Sequence, residues 1–98
     1  MKRDYVAIAN RYAQDVLAGT VATHDAFRLI VQRHVVDLAR AENNDPDFPY
    51  VFDGEAVARV CRAIELHPPS PDATQIMLEP WHIFMAVVTA GWHRKPNA

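Results

Sequence analysis

The stretch PWHIFMAVVTAG, at residues 80–91, decides the fold of this 98-residue chain. Pro80 suits the first turn of a helix, where its missing N–H is not needed, and Gly91 suits the residue after the end. Nearly every side chain between them is apolar, so the predicted helix has almost no polar face. Such a helix must be buried, either in the chain's own core or against a partner. Because so short a chain has a modest core, we expect the partner.

Upstream of this helix, apolar residues that recur at spacings of three and four predict three more helices. Their ranges are 5–18, 25–41 and 53–66. Clustered prolines then predict a Pro-rich connector at residues 67–76, and residues 75–78 are expected to form one short extended segment before the last helix. The predicted fold is all-α, a small bundle of about four helices in one domain over residues 1–98.

Polar residues at the helix ends support these boundaries. Asp4 is expected to cap the first helix and Asp53 the third, because a carboxylate accepts hydrogen bonds from the free N–H groups of a first turn. Thr23 or Asp25 is expected to cap the second helix. Gly19 can adopt the left-handed conformation that ends the first.

Several chemically versatile side chains lie within these helices. His34 lies on the apolar stripe of the second helix and is interpreted as a hydrogen-bonded core residue. Cys61 shares a stripe with three aliphatic residues of the third helix, which favours a small core hydrophobe over a nucleophile. Those aliphatic residues are Val57, Val60 and Ile64. The arginines at 28, 33 and 40 are interpreted as a solvated helix face, and the polar tail at 93–98 as frayed.

Composition narrows the functional classes. Ten basic and twelve acidic residues give a net charge of -2, so no overall positive field draws the chain to nucleic acid. One cysteine cannot form an internal disulfide, which suits a reducing cytoplasm. No apolar run approaches the roughly 20 residues that span a bilayer. We therefore expect a cytoplasmic protein without a membrane partner.

Motifs of catalysis are missing from the sequence. The three glycines stand alone at 19, 54 and 91, so there is no glycine-rich phosphate loop. The acidic residues form no evident pair for acid–base or two-metal catalysis, and the five histidines show no zinc-ligand spacing. We expect no enzymatic activity, cofactor or metal in this chain alone.

Three stretches together resemble the start of tailed-phage (or prophage) terminase large subunits. They are YAQDVLAG at 12–19, DFPYVFDGEAVARVCRAIEL at 47–66 and MLEPWHIF at 77–84, the last followed by Gly91 and Trp92. The family pattern in the last stretch is leucine, any residue, proline, tryptophan and usually glutamine, then an apolar helix that closes on glycine and an aromatic residue. The resemblance covers nearly the whole chain, and the order and spacing of the stretches make it more specific than any one of them.

The resemblance implies a place in the viral DNA-packaging motor. Terminase large subunits join an ATPase domain with a parallel-sheet core to a nuclease domain, and they use ATP and magnesium to pump DNA into the procapsid. This sequence corresponds to the helical lead-in upstream of the phosphate loop (Walker A motif). The implied role is to flank the ATP site and mediate subunit contacts. The implied partners are the rest of the large subunit, the small terminase subunit and the portal, with DNA reached only through the full-length protein.

The same resemblance places Leu78, Trp81 and His82 near the adenine base of the nucleotide. Apolar and aromatic side chains can pack on a purine, while the family's glutamine offers one donor and one acceptor to its edge. Here His82 replaces that glutamine, and a neutral imidazole offers the same pair in a different geometry. In the alternative interpretation, Trp81 only anchors the last helix in the core.

Two other functions remain open from the sequence. One is a stand-alone small helical phage adaptor or assembly protein. The other is a helix-turn-helix DNA-binding domain built from the first two helices, which the acidic net charge disfavours. In each case the apolar residues 80–92 are expected to promote self-association.

Overall fold

The computed structural model describes residues 3–66 and 77–96, which form four α-helices and a two-stranded sheet. The elements in chain order are α1 (Tyr5–Leu17), α2 (Asp25–Glu42), β1 (Tyr50–Phe52), α3 (Gly54–Leu66), α4 (Pro80–Ala90) and β2 (Trp92–Arg94). The predicted small bundle of four helices is thus confirmed. The Pro-rich connector predicted at 67–76 lies outside the described residues.

The helix ends follow the predicted chemistry in three of four places. Asp4 Oδ1 accepts a hydrogen bond from Ala7 N–H at 3.0 Å, and Asp53 caps α3 in the same manner. Gly19 has a φ of 82°, the left-handed conformation expected after α1. The cap predicted for α2 is wrong, because His24 occupies that position without a side-chain hydrogen bond. Asp25 is instead the first helical residue, where its negative charge interacts favourably with the helix dipole.

The core forms around one face of α4. Ile83, Phe84 and Val87 are fully buried, and α4 packs against α1 and α3. Phe84 makes edge or tilted ring contacts with Tyr12 of α1 and Phe27 of α2. The expectation that α4 needs a partner is therefore wrong for this face, since the chain itself supplies the surrounding surface.

The sheet lies elsewhere than predicted. β1 and β2 pair antiparallel, with Tyr50 opposite Arg94 and Phe52 opposite Trp92. In the segment predicted as extended, Met77 and Leu78 form no strand, and residues 75–76 lie outside the described part. The prediction of a frayed tail at 93–98 is also wrong at its start, since His93 and Arg94 pair with Val51 and Tyr50. Main-chain hydrogen bonds between β1 and β2 offset the entropy lost when the tail is ordered. The polarity of the tail residues does not show that these bonds form.

Gly91 makes the tight junction between α4 and β2. A Cβ atom at Gly91 would lie 2.5 Å from Cε1 of Phe52 and 2.7 Å from the carbonyl oxygen of Val87. Its carbonyl also accepts a hydrogen bond from Asp53 N–H at 2.6 Å. Close approach, and not an unusual φ, therefore requires glycine at this position.

The buried stripes of α2 and α3 differ from those predicted. On α3 the core face contains Val57, Cys61 and Glu65, while Val60 and Ile64 are about two-fifths exposed. Cys61 is fully buried, which confirms it as a core hydrophobe. Residues at spacings of three and of four both lie on one side of a helix, so the sequence does not determine which row of α3 faces the core. In the structure the buried row is the one at spacings of four, Val57, Cys61 and Glu65.

On α2, Val31 and His34 are buried, but Ile30 is half exposed. His34 is a hydrogen-bonded core residue, as predicted, because its Nδ1 accepts from Trp92 Nε1 at 3.3 Å. Arg28 was expected to face solvent only. It instead donates to the carbonyl oxygens of residues 16 and 17 at 2.8 and 2.7 Å, at the end of α1. Free carbonyls at a helix end attract such a cation.

Within residues 3–66 and 77–96, no helix combines the length and the apolar character that a membrane span requires.

Candidate functional site

The start of α4 is set by the Glu79–Pro80 pair. The ring of a proline disfavours helical geometry in the residue before it, and Glu79 is accordingly extended, with φ −77° and ψ 159°. Pro80 then begins the helix with its φ already restricted. This turn places Leu78 before the helix, and Trp81 and His82 in its first turn.

Trp81 and His82 form an aromatic stack that faces solvent. Their ring centroids lie 3.6 Å apart and the planes meet at 30°. Trp81 is 46% exposed and His82 is exposed as well. The indole Nε1–H of Trp81 donates to Glu79 Oε2 at 3.0 Å, which holds the ring across the helix start. The interpretation that Trp81 only anchors α4 in the core is therefore wrong.

Leu78 is fixed by contacts with the protein interior. Its side chain is partly buried against the core cluster, and both of its main-chain polar groups are bonded. The N–H donates to Glu65 Oε2 at 2.8 Å, and the carbonyl oxygen accepts from Arg3 Nη2 at 3.2 Å. All three residues singled out from the sequence thus lie at the N-terminal end of α4, with Leu78 turned inward and the aromatic stack turned outward.

Glu65 is a residue that sequence reasoning missed. It is only 3% exposed, and it accepts hydrogen bonds from Tyr5 Oη at 2.6 Å, from the Arg3 guanidinium and from Leu78 N–H. We call these four residues the Glu65 cluster. A signal was present, because Glu65 continues the spacing of four that runs through Val57 and Cys61.

The Glu65 cluster holds a charge in the protein interior. Burial alone would raise the pKa of Glu65, but the hydrogen bonds from Tyr5 and Leu78, together with the Arg3 charge, outweigh it and lower that pKa. The pKa of the Tyr5 hydroxyl is raised, first by its hydrogen bond to Glu65 and then by burial. At neutral pH the cluster therefore contains an ionised carboxylate facing a protonated phenol.

Beside the aromatic stack, α4 carries an exposed apolar strip. Met77, Trp81 and Met85 follow one another at spacings of four, and their exposed fractions are 59%, 46% and 40%. This spacing places Trp81 and Met85 on one side of α4, and Met77 lies just before the helix. Trp81 and Met85 on the outer side of α4 are thus exposed, while Ile83, Phe84 and Val87 on its inner side are buried.

A second surface feature is a groove of about 520 Å³ between the starts of α1 and α3. Its charged lining residues are Arg3, Asp4, Glu55 and Arg62. Two positive and two negative groups give it no preference for an anionic ligand. Across residues 3–66 and 77–96, no three His, Cys, Asp or Glu side chains converge as metal ligands would.

Comparisons of the chain with protein-family models, with curated proteins and with solved structures found no match.

Proposed function

We propose that this chain is the N-terminal, ATPase-proximal segment of a tailed-phage terminase large subunit. In this role it flanks the ATP site and contacts neighbouring subunits. It is inactive alone, because the phosphate loop, the magnesium site and the nuclease belong to the rest of that subunit. The observation that carries the proposal is the solvent-facing stack of Trp81 and His82 at the start of α4.

An exposed tryptophan at a fixed orientation favours a ligand with a flat π-face. Stacking of a base on an aromatic side chain contributes about 1–3 kcal/mol. Glu79 fixes the Trp81 ring through its indole N–H, so little further ordering is needed when a purine binds. His82 lies against that ring and can offer one donor and one acceptor to the purine edge.

An NMR titration of the chain with ATP tests this proposal. We expect the Trp81 indole and His82 imidazole signals to shift at millimolar nucleotide, a weak affinity of about 4 kcal/mol. The Trp92 indole, which lies in β2 beyond the C-terminal end of α4, should not respond. Inorganic triphosphate, which lacks the base, should leave all three signals in place.

The matched variants are Trp81→Ala and Met85→Ala, since both side chains are exposed on α4 to similar extents. Only the first should abolish the ATP-dependent shift of His82. A response that survives Trp81→Ala, or no response to ATP in the unchanged chain, would contradict an adenine-proximal role.

The subunit contacts are proposed to use the exposed strip. Partners on this surface include the rest of the large subunit, the small terminase subunit and the portal, and residues 80–92 would also support self-association. Sedimentation at rising protein concentration should detect dimers or larger species, and Met85→Lys should reduce them. A monomer at every protein concentration would exclude self-association through the exposed strip.

A stand-alone adaptor is the second candidate, and the enclosure of Ile83, Phe84 and Val87 by the chain itself favours it. Reading the gene beyond codon 98 separates the two candidates. A terminase gene should continue, in frame or after a frameshift, to a glycine-rich loop ending in Gly-Lys-Ser or Gly-Lys-Thr. The helix-turn-helix alternative gains no support, because residues 18–24 between α1 and α2 exceed the roughly three- to four-residue turn of that motif.

A further inference from the structure

One buried carboxylate joins the end of α3 to the start of α4. Glu65 lies one residue before the end of α3, and its Oε2 accepts from the N–H of Leu78, thirteen positions later. Arg3 bonds both the same carboxylate and the Leu78 carbonyl oxygen. The peptide groups on both sides of the Leu78 Cα are therefore fixed by side chains from elsewhere in the chain.

Little freedom remains between this fixed point and the aromatic stack. Glu79 is restricted to extended geometry by the proline that follows it, and the φ of Pro80 is restricted by its own ring. Trp81 comes next and is tied back to Glu79 through its indole N–H. The direction in which Leu78 is held thus largely determines where the Trp81 ring lies.

A residue that only filled the core would not need to be charged. Burying an ionised carboxylate is expensive unless hydrogen bonds satisfy it, and an apolar residue of similar volume is often neutral or stabilising in its place. An apolar side chain could not, however, accept the N–H of Leu78. The charge at position 65 therefore has a use beyond core packing.

We propose that Glu65 is a positioning residue, which orients the Trp81–His82 stack by holding the main chain of Leu78. The purpose of this orientation, presenting the stack to a nucleotide base, rests on the function proposed above. The positioning itself is a statement about the chain alone.

The experiment compares Glu65→Gln with Arg28→Met by NMR. Glu65→Gln keeps the volume but removes the charge, whereas Arg28→Met removes two side-chain bonds to main-chain carbonyls at the end of α1. We expect Leu78 amide exchange to become at least about tenfold faster in Glu65→Gln, since bonds to charged acceptors are the stronger ones. The Trp81 indole signal should move while that of Trp92 stays in place.

Arg28→Met should show the opposite pattern, with lower stability but an unmoved Trp81 indole. A Trp81 signal that stays fixed in folded Glu65→Gln would overturn the proposal. If Glu65→Gln does not fold, Arg3→Met replaces it, because Arg3 is partly exposed and the substitution removes its bonds to the Glu65 carboxylate and to the Leu78 carbonyl oxygen. A Trp81 shift there would support positioning, and its absence would overturn it.

These readouts involve no nucleotide. An ATP titration without response would therefore contradict the proposed function while leaving the positioning role of Glu65 intact. A fixed Trp81 signal in the variants would contradict the positioning role while leaving the proposed function intact.

Discussion

The two ends of α4 bury polar side chains under opposite conditions. At the N-terminal end, the Glu65 cluster holds an ionised carboxylate that accepts hydrogen bonds from three residues. At the C-terminal end, four rings form what we call the His34 cluster, comprising His34, Phe52, Phe84 and Trp92. There a neutral imidazole accepts one hydrogen bond, from Trp92. The N-terminal end is therefore stabilised by a charged group whose hydrogen bonds are satisfied, and the C-terminal end by a group that stays uncharged.

The surroundings of His34 explain the second condition. Because Nδ1 accepts from the Trp92 indole, the proton of the neutral ring belongs on Nε2. Nε2 has no hydrogen-bond partner among the described residues, and the Phe84 ring lies edge-to-face with the imidazole at 5.4 Å. An N–H beside aromatic rings is only weakly bonded, so this end tolerates a neutral ring much better than a cation.

The comparison teaches that the number of partners, more than burial, separates the two sites. Both Glu65 and His34 are less than 5% exposed. Glu65 remains ionised because donors surround it, and His34 remains neutral because burial disfavours its cation and no acceptor among the described residues meets its Nε2. Removing a hydrogen-bond partner of Glu65, at the N-terminal end of α4, should therefore lower the free energy of unfolding. Protonating His34, at the C-terminal end, should lower it as well.

The largest expected effect comes from Glu65→Ala, which deletes the acceptor at the centre of the Glu65 cluster. The buried hydroxyl of Tyr5 and the N–H of Leu78 would lose their partner, while the partly exposed Arg3 could turn to water. We expect the free energy of unfolding to fall by about 3 kcal/mol, measured by urea denaturation. Glu55→Ala, at an exposed position of the same helix, should cost less than about 1 kcal/mol. Equal losses would mean that the buried charge adds nothing.

A smaller effect is expected from Gly91→Ala beside the His34 cluster. The new Cβ would press on Phe52 and on the Val87 carbonyl, and overpacking of this kind costs about 2 kcal/mol. Gly19→Ala is the matched control, because that glycine has open space around it and only its left-handed φ opposes a side chain. Its cost should be about 1 kcal/mol. A Gly91→Ala variant as stable as the unchanged chain would show that the junction can relax.

The helical framework was predictable because its signals are local. Pro80, Asp4 and Asp53 each act within one turn of a helix, and the sequence alone located all four helix starts to within a residue. The site residues Leu78, Trp81 and His82 were likewise tied to the start of α4 by the proline. Their exposure could not be derived, since it depends on which side of α4 meets α1 and α3.

What the sequence did not reveal depends on distant pairing. The partner strands β1 and β2 are three residues each and stand far apart along the chain, so neither has a pattern of its own. Glu65 was left out of the predicted core stripe of α3, although its spacing matched the buried row. Only the approach of Arg3, Tyr5 and Leu78, all remote in sequence, makes its burial favourable.

The smallest effect, and the clearest separation of the two ends, is expected from pH. Burial lowers the pKa of His34 below its usual 6.5, with the Asp37 charge opposing only in part. As pH falls through 6.5, the unfolded chain therefore takes up a proton that the folded chain resists, and the free energy of unfolding decreases. At pH 6 the loss from this one group is at most about 0.8 kcal/mol relative to high pH.

His34→Phe should remove that decrease, and the other histidines, present in both chains, cancel in the comparison. The Glu65 cluster behaves differently, because a lowered carboxyl pKa gives stability that is complete above the usual 4.5 and is lost as pH falls through the folded value. Urea denaturation at pH 8, 6 and 4 distinguishes the two windows. Parallel curves for His34→Phe and the unchanged chain between pH 8 and 6 would mean that the imidazole takes up its proton equally well in the folded chain, and the contrast between the two ends of α4 would then fail.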